Sequence, residues 1–311
     1  MKSLIAASIA AIIFFNMQDQ KLRVTPLSVS MGTGPAEEKH LFTFGLISDV
    51  QYADRIHTGE RYFRSSIEKL DEALSSFIKD SVDFIVNLGD LIESDYESYK
   101  PVLNAIRSSG IKAYHITGNH DYSVDPQYLS RLPVLNEYRN GYYSIIKGNY
   151  RLIFLNGNEI SIYASADKTS IAQAGNYIEK LKKEGEINAI EWNGGIGNEQ
   201  CEWIISQLDA AVAASEKVIF LCHFPVAPEN IHNLLNYKKM RTILSKYDNV
   251  VAWLNGHNHE GNYAYFNNVH FITFRGMVET RTINSFAIIE MYNNKLVIKG
   301  SGREDSRVLP L

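Results

Sequence analysis

Hydrophobic positions in the first half of the chain fall into short apolar runs separated by amphipathic stretches. The runs at 41–47, 82–88 and 111–117 have the length and composition of buried strands. Between them, apolar residues recur every three or four positions over 59–80 and again over about 95–109, which predicts two helices. The order strand, helix, strand, helix, strand predicts a largely parallel sheet with right-handed crossovers, and therefore an α/β protein.

The pattern in the second half of the chain predicts both helices and strands, with a larger share of strands. The same periodicities predict a hairpin over 142–155, helices over 170–184 and 199–214, and strands over 217–222 and 250–255. The tail, residues 263–300, alternates apolar and polar positions and has turn sequences at Asn267-Asn268 and Asn293-Asn294. We therefore expect the tail to be antiparallel and to complete a second sheet.

The first residues have the pattern of an export signal. Lys2 precedes an apolar run over 4–15, which is too short to span a membrane because a spanning helix needs about 20 apolar residues. We expect a secretory signal peptide over 1–20, a polar spacer over 21–39 and one domain over 40–303. The protein would then be periplasmic or secreted, with no membrane span after processing. An uncleaved N-terminal membrane anchor is the alternative.

Composition and charge narrow the class of partner. The 311 residues are 45% apolar and 21% charged, which is typical of a globular protein. The formal net charge of -4 gives no reason to expect a nucleic-acid polymer as partner. An anionic small molecule stays possible, because bound metal ions would dominate the local field. The sequence gives no prediction of oligomeric state.

Five of the apolar runs end, at the carboxyl side, on residue types that bind metals. These are Asp49 with Gln51, Asp90, Asn119 with His120 and Asp121, His223, and His257 with His259. Ligands gather outside the carboxyl ends of strands in α/β sheets, so we expect one site. Its oxygen and nitrogen atoms suffice for two metal ions that share a carboxylate. Two ions ~3.5–4 Å apart can clamp the attacking and leaving oxygens of a displacement at phosphorus.

His120 differs from the other imidazoles of this set. It directly follows the candidate ligand Asn119, so we expect its ring to point away from the ion and toward the substrate. Asp121 could hold the second ring nitrogen of His120. An imidazolium oriented by a carboxylate is a suitable general acid for a leaving alkoxide or phosphate.

Together these motifs resemble the pattern of the calcineurin-like metallophosphoesterases, over roughly residues 41–290. The resemblance implies a four-layer sandwich of two mixed β-sheets flanked by helices. It implies that Asp90 bridges two divalent metal ions and that His120 contacts the scissile phosphate. The first ion would also be held by Asp49, Gln51 and His259, and the second by Asn119, His223 and His257.

Gln51 stands where the family pattern D-x-H has histidine. An amide oxygen is a weaker and harder ligand than imidazole, so we expect Mn²⁺, with iron or zinc as alternatives. The D-x-Q form looks like the manganese-dependent ADP-ribose/CDP-alcohol diphosphatases. Two further segments are similar to that subfamily, Arg61-Tyr62-Phe63-Arg64-Ser65 and Trp192-Asn193-Gly194-Gly195.

These segments predict the substrate contacts. Arg61 and Arg64 could grip a second, non-reacting phosphate, because guanidinium groups bind phosphate bidentately. Asn193 and Gly194 lie in a glycine-rich loop whose backbone could approach a phosphate closely. Asn119 would contact the substrate as well as the metal.

Three functions fit the sequence. The first is hydrolysis of nucleoside diphosphate-X compounds, such as ADP-ribose or CDP-alcohols, by attack of a metal-activated water on phosphorus. The second is a secreted phosphomonoesterase or phosphodiesterase that scavenges phosphate with the same metals. The third is a non-catalytic metal-binding module, which predicts damaged ligand positions or loss of His120, and the sequence has neither.

Overall fold

A computed structural model describes residues 38–132 and 140–311. The predicted signal peptide and most of the predicted spacer lie outside these ranges, so export stays a prediction. Within the two ranges, no helix is long and apolar enough to cross a membrane.

Two six-stranded sheets form the centre of the fold. The strands are β1 (His40–Ile47), β2 (Phe84–Asn87), β3 (Ala113–His115), β4 (Tyr143–Lys147), β5 (Tyr150–Phe154), β6 (Lys217–Leu221), β7 (Val250–Asn255), β8 (Asn262–Phe266), β9 (Val269–Thr273), β10 (Ser285–Tyr292), β11 (Lys295–Gly302) and β12 (Arg307–Pro310). The α-helices are α1 (Ser66–Lys79), α2 (Tyr99–Ser108), α3 (Lys168–Lys183), α4 (Asn198–Ala213) and α5 (Tyr237–Leu244).

Both sheets are mixed. The first has the order β12-β11-β10-β1-β2-β3, in which β1, β2 and β3 are parallel, as the sequence predicts. The second has the order β4-β5-β6-β7-β9-β8, with β5, β6, β7 and β9 parallel. Parallel strands inside a layered protein are covered on both faces, which explains why β2 and β7 are buried along their whole length and are apolar up to the asparagine that ends each of them.

The main core lies between the two sheets. Phe44 of β1 stacks on Phe84 of β2 with ring centroids 5.2 Å apart. Across the interface, Phe42 of β1 meets Tyr150 of β5 edge to face at 6.1 Å. Helices α1 and α2 cover the outer face of the first sheet, and α4 and α5 cover that of the second. The predicted four-layer sandwich is therefore confirmed.

The predicted topology of the tail is wrong in part. Strands β8 and β9 extend the second sheet, but β9 is parallel to β7. Strands β10, β11 and β12 instead join the first sheet beside β1. Alternation of apolar and polar positions identifies strands, but it carries no information on which sheet a strand joins. β12 also lies beyond residue 303, where we had placed the end of the domain.

The predicted helix over 59–80 begins later than expected. A 3-10 turn at Phe63–Ser65 leads into α1, which starts at Ser66. Arg61 instead forms an isolated antiparallel bridge with Glu279. A tertiary backbone pairing has thus replaced the first turns that the local periodicity favours.

We expect Phe44→Ala to lower the free energy of unfolding by about 3–5 kcal/mol, because it leaves a cavity in the core between the sheets. Urea unfolding followed by circular dichroism measures the change. Val308→Ala is the control: its side chain is 65% exposed on β12, and we expect a change within about 0.5 kcal/mol. A loss below about 1 kcal/mol for Phe44→Ala would contradict the central role of this core.

Candidate metal centre

The five strand-end loops converge at one place, because the carboxyl ends of β1, β2, β3, β6 and β7 lie together across the two sheets. Backbone hydrogen bonds tie the loops to each other: Gln51 N donates to Asp90 O at 2.9 Å and Gly256 N donates to His223 O at 3.0 Å. Five separate segments of the sequence therefore supply one cluster of side chains.

Four residues of this cluster have left-handed backbone. The φ angles are 51° at Asp49, 43° at Gln51, 54° at Asp90 and 69° at His257. Non-glycine residues in this region store strain and are concentrated at functional sites. This backbone conformation changes the direction of the chain soon after each strand ends and places the four side chains in the cluster.

Two glycines let these loops approach closely. A Cβ atom at Gly118 would lie 2.2 Å from Asp90 Oδ1, and one at Gly256 would lie 1.9 Å from Ser48 Oγ. Neither position can hold a side chain without moving a carboxylate or its neighbour. Gly118, directly before Asn119, and Gly256, directly before His257, are therefore required by packing at the centre itself.

Three imidazoles each have one nitrogen anchored behind the site. The anchors are Leu88 O for His223 Nδ1 (2.8 Å), Asn193 Oδ1 for His257 Nε2 (2.9 Å) and Glu279 Oε1 for His259 Nδ1 (2.7 Å). Every anchor is an acceptor, so the anchored nitrogen carries a proton and the other nitrogen is the one that can bind a metal. Such outer hydrogen bonds are the usual way in which proteins orient metal-binding histidines.

The free nitrogens face the carboxylates. His223 Nε2 lies 3.2 Å from Asp90 Oδ2, and His259 Nε2 lies 3.3 Å from Asp49 Oδ1. Ligand atoms of Asp90, His223 and His257 all lie within 4.8 Å of one another. This group could hold one cation, and Asp49, Gln51 and His259 lie beside it for a second.

Several buried acceptors of the cluster have no hydrogen-bond partner. Gln51 Oε1, Asn119 Oδ1 and His223 Nε2 are all in this state. Unpaired buried polar atoms are uncommon because each loses its hydration without compensation. Three such atoms in one cluster fit coordination of cations, so the residues present suit a metal pair.

The charges of the cluster point the same way. Asp49 and Asp90 are completely buried. Burial alone would raise their pKa values, but His259 beside Asp49 and His223 beside Asp90 outweigh it and lower the pKa of both carboxyls. Conversely, burial disfavours the charged rings, yet these carboxylates raise the pKa of His223 and of His259 to about 9 each. The buried carboxylates thus require positive charge between them, which divalent cations supply.

His257 behaves differently from the other two rings. Burial, and then the neighbouring His223, lower the pKa of His257 well below its usual value. The ring is therefore neutral, which is the form that binds metals.

A cavity of about 510 Å³ opens onto the cluster. Its lining residues are Gln51, Arg61, Asp90, Asn119, His120, Trp192, Ile231, His232, His257 and His259. Trp192 and Ile231 are 45% and 46% exposed and form an apolar part of the wall. The volume lies in the range of small-molecule sites.

The predicted contact between His120 and Asp121 is wrong. The Asp121 carboxylate is buried and accepts hydrogen bonds from three backbone N–H groups and one phenol. The donors are Asp90, Leu91, Gly118 and Tyr99. Burial and the neighbouring Asp90 raise the pKa of Asp121 to about 7. Asp121 braces the loops of the centre, because its oxygens are turned toward the backbone.

Glu93 occupies the place that we had given to Asp121. His120 Nδ1 lies 3.0 Å from Glu93 Oε2 and 3.3 Å from the Glu93 carbonyl. Burial lowers the pKa of His120, but Asp90 and Glu93 outweigh it and raise the pKa overall. With Nδ1 turned to Glu93, Nε2 is the atom of His120 that is free to meet a ligand.

Some of the predicted substrate contacts line the cavity and others do not. Arg61 lines the cavity, whereas Arg64 is exposed and pairs with Asp54 at 2.6 Å. Asn193 lies behind His257, and its amide nitrogen is taken by two backbone carbonyls. A Cβ at Gly194 would lie 2.1 Å from Gly157 O, so this glycine serves packing. Arg64, Asn193 and Gly194 therefore lack the direct access to the cavity that we expected.

Glu93 and Glu279 lie near the centre without having been predicted there, and Trp192 was named only as part of a segment, with no role of its own. Glu93 follows Asp90 by three positions in the same loop, and Trp192 directly precedes Asn193, so both stand beside motifs already found. Glu279 stands outside every motif, and it is one of 35 acidic residues. No local signal distinguishes Glu279, because its partner His259 reaches it only through the tertiary fold.

Known proteins resemble this chain in sequence and in fold. The chain is 28% identical to the manganese-dependent ADP-ribose/CDP-alcohol diphosphatase of Xenopus laevis, over 88% of this chain and 91% of the relative. It is also 28% identical to the diphosphatase of the same name from Arabidopsis thaliana, over 88% of this chain and 98% of the relative. A dimetal phosphatase from Danio rerio has the same fold, with a TM-score of 0.79 at 24% identity, covering 88% of this chain and 99% of that one.

A family model described as calcineurin-like phosphoesterase matches residues 42–261. That span contains all five strand-end loops, most of β1, and the whole of β2, β3, β6 and β7. The predicted family is therefore confirmed, as is the predicted class of enzyme, a metallophosphoesterase hydrolase. This chain belongs to the calcineurin-like phosphoesterase family.

Proposed function

We propose that this enzyme is a Mn²⁺-dependent diphosphatase that cleaves nucleoside diphosphate compounds of the ADP-ribose or CDP-alcohol kind. The observation that carries the proposal is that residues of the candidate metal cluster and Arg61 line one cavity. A diphosphate has a second phosphate, which needs a positively charged partner in the site. A monoester has no second phosphate and needs no such partner. The names of the relatives given above agree with this substrate class.

We assign the ligands as follows. The first ion would be held by Asp49, Gln51, Asp90 and His259, and the second by Asp90, Asn119, His223 and His257. When bound, the ions would activate a water molecule and neutralise charge on the phosphate oxygens. The amide of Gln51 favours a hard ion at the first position, which supports Mn²⁺.

The other side chains of the cavity have distinct tasks in this proposal. His120, oriented at Nδ1 by Glu93, would donate the proton on Nε2 to the oxygen that leaves phosphorus. Arg61 would bind the phosphate that is not attacked. The exposed indole of Trp192 offers a flat face on which a nucleobase can stack.

We expect Gln51→His to bind Mn²⁺ more tightly than the natural protein, because imidazole is the stronger ligand. Activity should then saturate at a lower Mn²⁺ concentration. Titration of chelator-treated protein with Mn²⁺, followed by hydrolysis rate and by thermal melting, measures both. If the two titrations coincide, ligand strength at position 51 does not set the metal dependence.

We expect His120→Asn to keep its Mn²⁺ content while kcat falls by ~10²–10⁴-fold, the usual contribution of a general acid. Glu93→Gln should lower kcat less, because the His120 ring remains. Substrates with good leaving groups, such as bis-p-nitrophenyl phosphate, should suffer less than ADP-ribose in both variants. Metal loss that parallels the loss of activity would instead make His120 a ligand.

We expect Arg61→Ala to lower kcat/KM for ADP-ribose or a CDP-alcohol by about 10- to 100-fold, the effect of about 1.5–3 kcal/mol for a hydrogen bond to a charged group. Hydrolysis of p-nitrophenyl phosphate, which lacks a second phosphate, should be nearly unchanged. Arg64→Ala is the matched control, since this arginine lies in the same segment but pairs with Asp54. Equal losses on both substrates in Arg61→Ala would favour a phosphomonoesterase.

A further inference from the structure

The segment Met277–Thr280, which we call the strap, lies between the loop that contains Asp49 and the segment that contains Arg61. Its backbone bonds to both sides at distances of 2.8–3.0 Å. The bonds are Met277 N to Ser48 O, Val278 N to Asp49 O, Tyr62 N to Val278 O, and Thr280 N to Glu60 O. The strap therefore fixes the loop that contains Asp49 relative to the segment that contains Arg61.

A buried lysine holds the strap from below. Lys69 of α1 is only 3% exposed, and its ammonium donates hydrogen bonds to the backbone carbonyls of Met277, Glu279 and Thr280. Three carbonyls satisfy all three protons of the ammonium. The backbone at Glu279 is consequently fixed from two sides, which gives its side chain a defined direction.

The Glu279 side chain contacts both halves of the site with the same oxygen. Oε1 lies 2.7 Å from His259 Nδ1 and 3.6 Å from Arg61 Nε. The carboxylate is 14% exposed, so water competes little for it.

We propose that Glu279 is a positioning residue for two partners: it orients His259 toward the first cation and holds Arg61 toward the non-reacting phosphate of the substrate. The Arg61 half rests on the proposed function, and the His259 half requires only that the cluster binds metal. A carboxylate behind a ligating histidine fixes the ring and increases its basicity. The same negative charge limits the directions open to the flexible guanidinium.

Two substitutions separate the tasks of Glu279. Glu279→Gln keeps an oxygen that can accept the proton of His259 Nδ1, but it removes the charge that pairs with Arg61. Glu279→Ala removes both. Glu260→Gln is the matched control. Glu260 directly follows His259 and is exposed, whereas the carboxylate that contacts the His259 ring belongs to Glu279.

The first measurement is calorimetric titration of chelator-treated protein with Mn²⁺, with thermal melting to verify folding. We expect Glu279→Ala to weaken one of the two Mn²⁺ sites by ~10- to 100-fold and to leave the other unchanged. Glu279→Gln should weaken the same site less, and Glu260→Gln should weaken neither. Unchanged Mn²⁺ constants in a folded Glu279→Ala variant, or equal weakening in Glu279→Gln and Glu279→Ala, would overturn the His259 half.

The second measurement is a double-mutant cycle between Arg61→Ala and Glu279→Gln with ADP-ribose as substrate. If Glu279 positions Arg61, the loss caused by Arg61→Ala should shrink at least several-fold in the Glu279→Gln background. Additive losses would overturn the Arg61 half. Failure to hydrolyse both ADP-ribose and CDP-alcohols would refute the proposed function, and the Arg61 half with it, whereas the Mn²⁺ constants still decide the His259 half.

Discussion

Burial of the Asp49 and Asp90 carboxylates is the constraint on which the rest of the site depends. Both are fully withdrawn from water, and an ionised carboxylate in such a place is costly unless positive charge and hydrogen bonds compensate it. The surroundings are arranged for that compensation. Imidazole nitrogens face both carboxylates, and the backbone N–H of His120 donates to Asp90 Oδ1 at 2.7 Å.

This requirement explains features that would otherwise look like defects. Left-handed backbone at Asp49 and Asp90, and acceptors without partners at Gln51 and Asn119, each cost stability. They lie together where two rigid sheets end, and the core between the sheets can maintain them. Packing of the core therefore maintains the strained backbone at the centre. Bound cations would offset part of the lost stability, because the unpaired acceptors could coordinate them.

The outer contacts give each ring of the centre a fixed role. His223, His257 and His259 are anchored by a carbonyl, an amide and a carboxylate, so three different chemistries present the same kind of free nitrogen. His120 has its anchor on the opposite side from the cluster, at Glu93, and this separates a proton donor from the ligands. The two acids that perform such anchoring, Glu93 and Glu279, are also those that pair with the arginines Arg55 and Arg61.

The sequence by itself determined the elements and the inner residues. Apolar runs and helical spacing identified the strands, and polar residues directly after five strands identified the centre, because strand ends and ligand types are local properties of the chain. The tertiary structure decided which sheet β10 joins, which acid faces His120, and that Arg61 enters the cavity while Arg64 does not. These outcomes depend on contacts such as that of Glu279 with His259, 20 positions away, and no pattern of neighbouring residues encodes which distant backbone will place two side chains together.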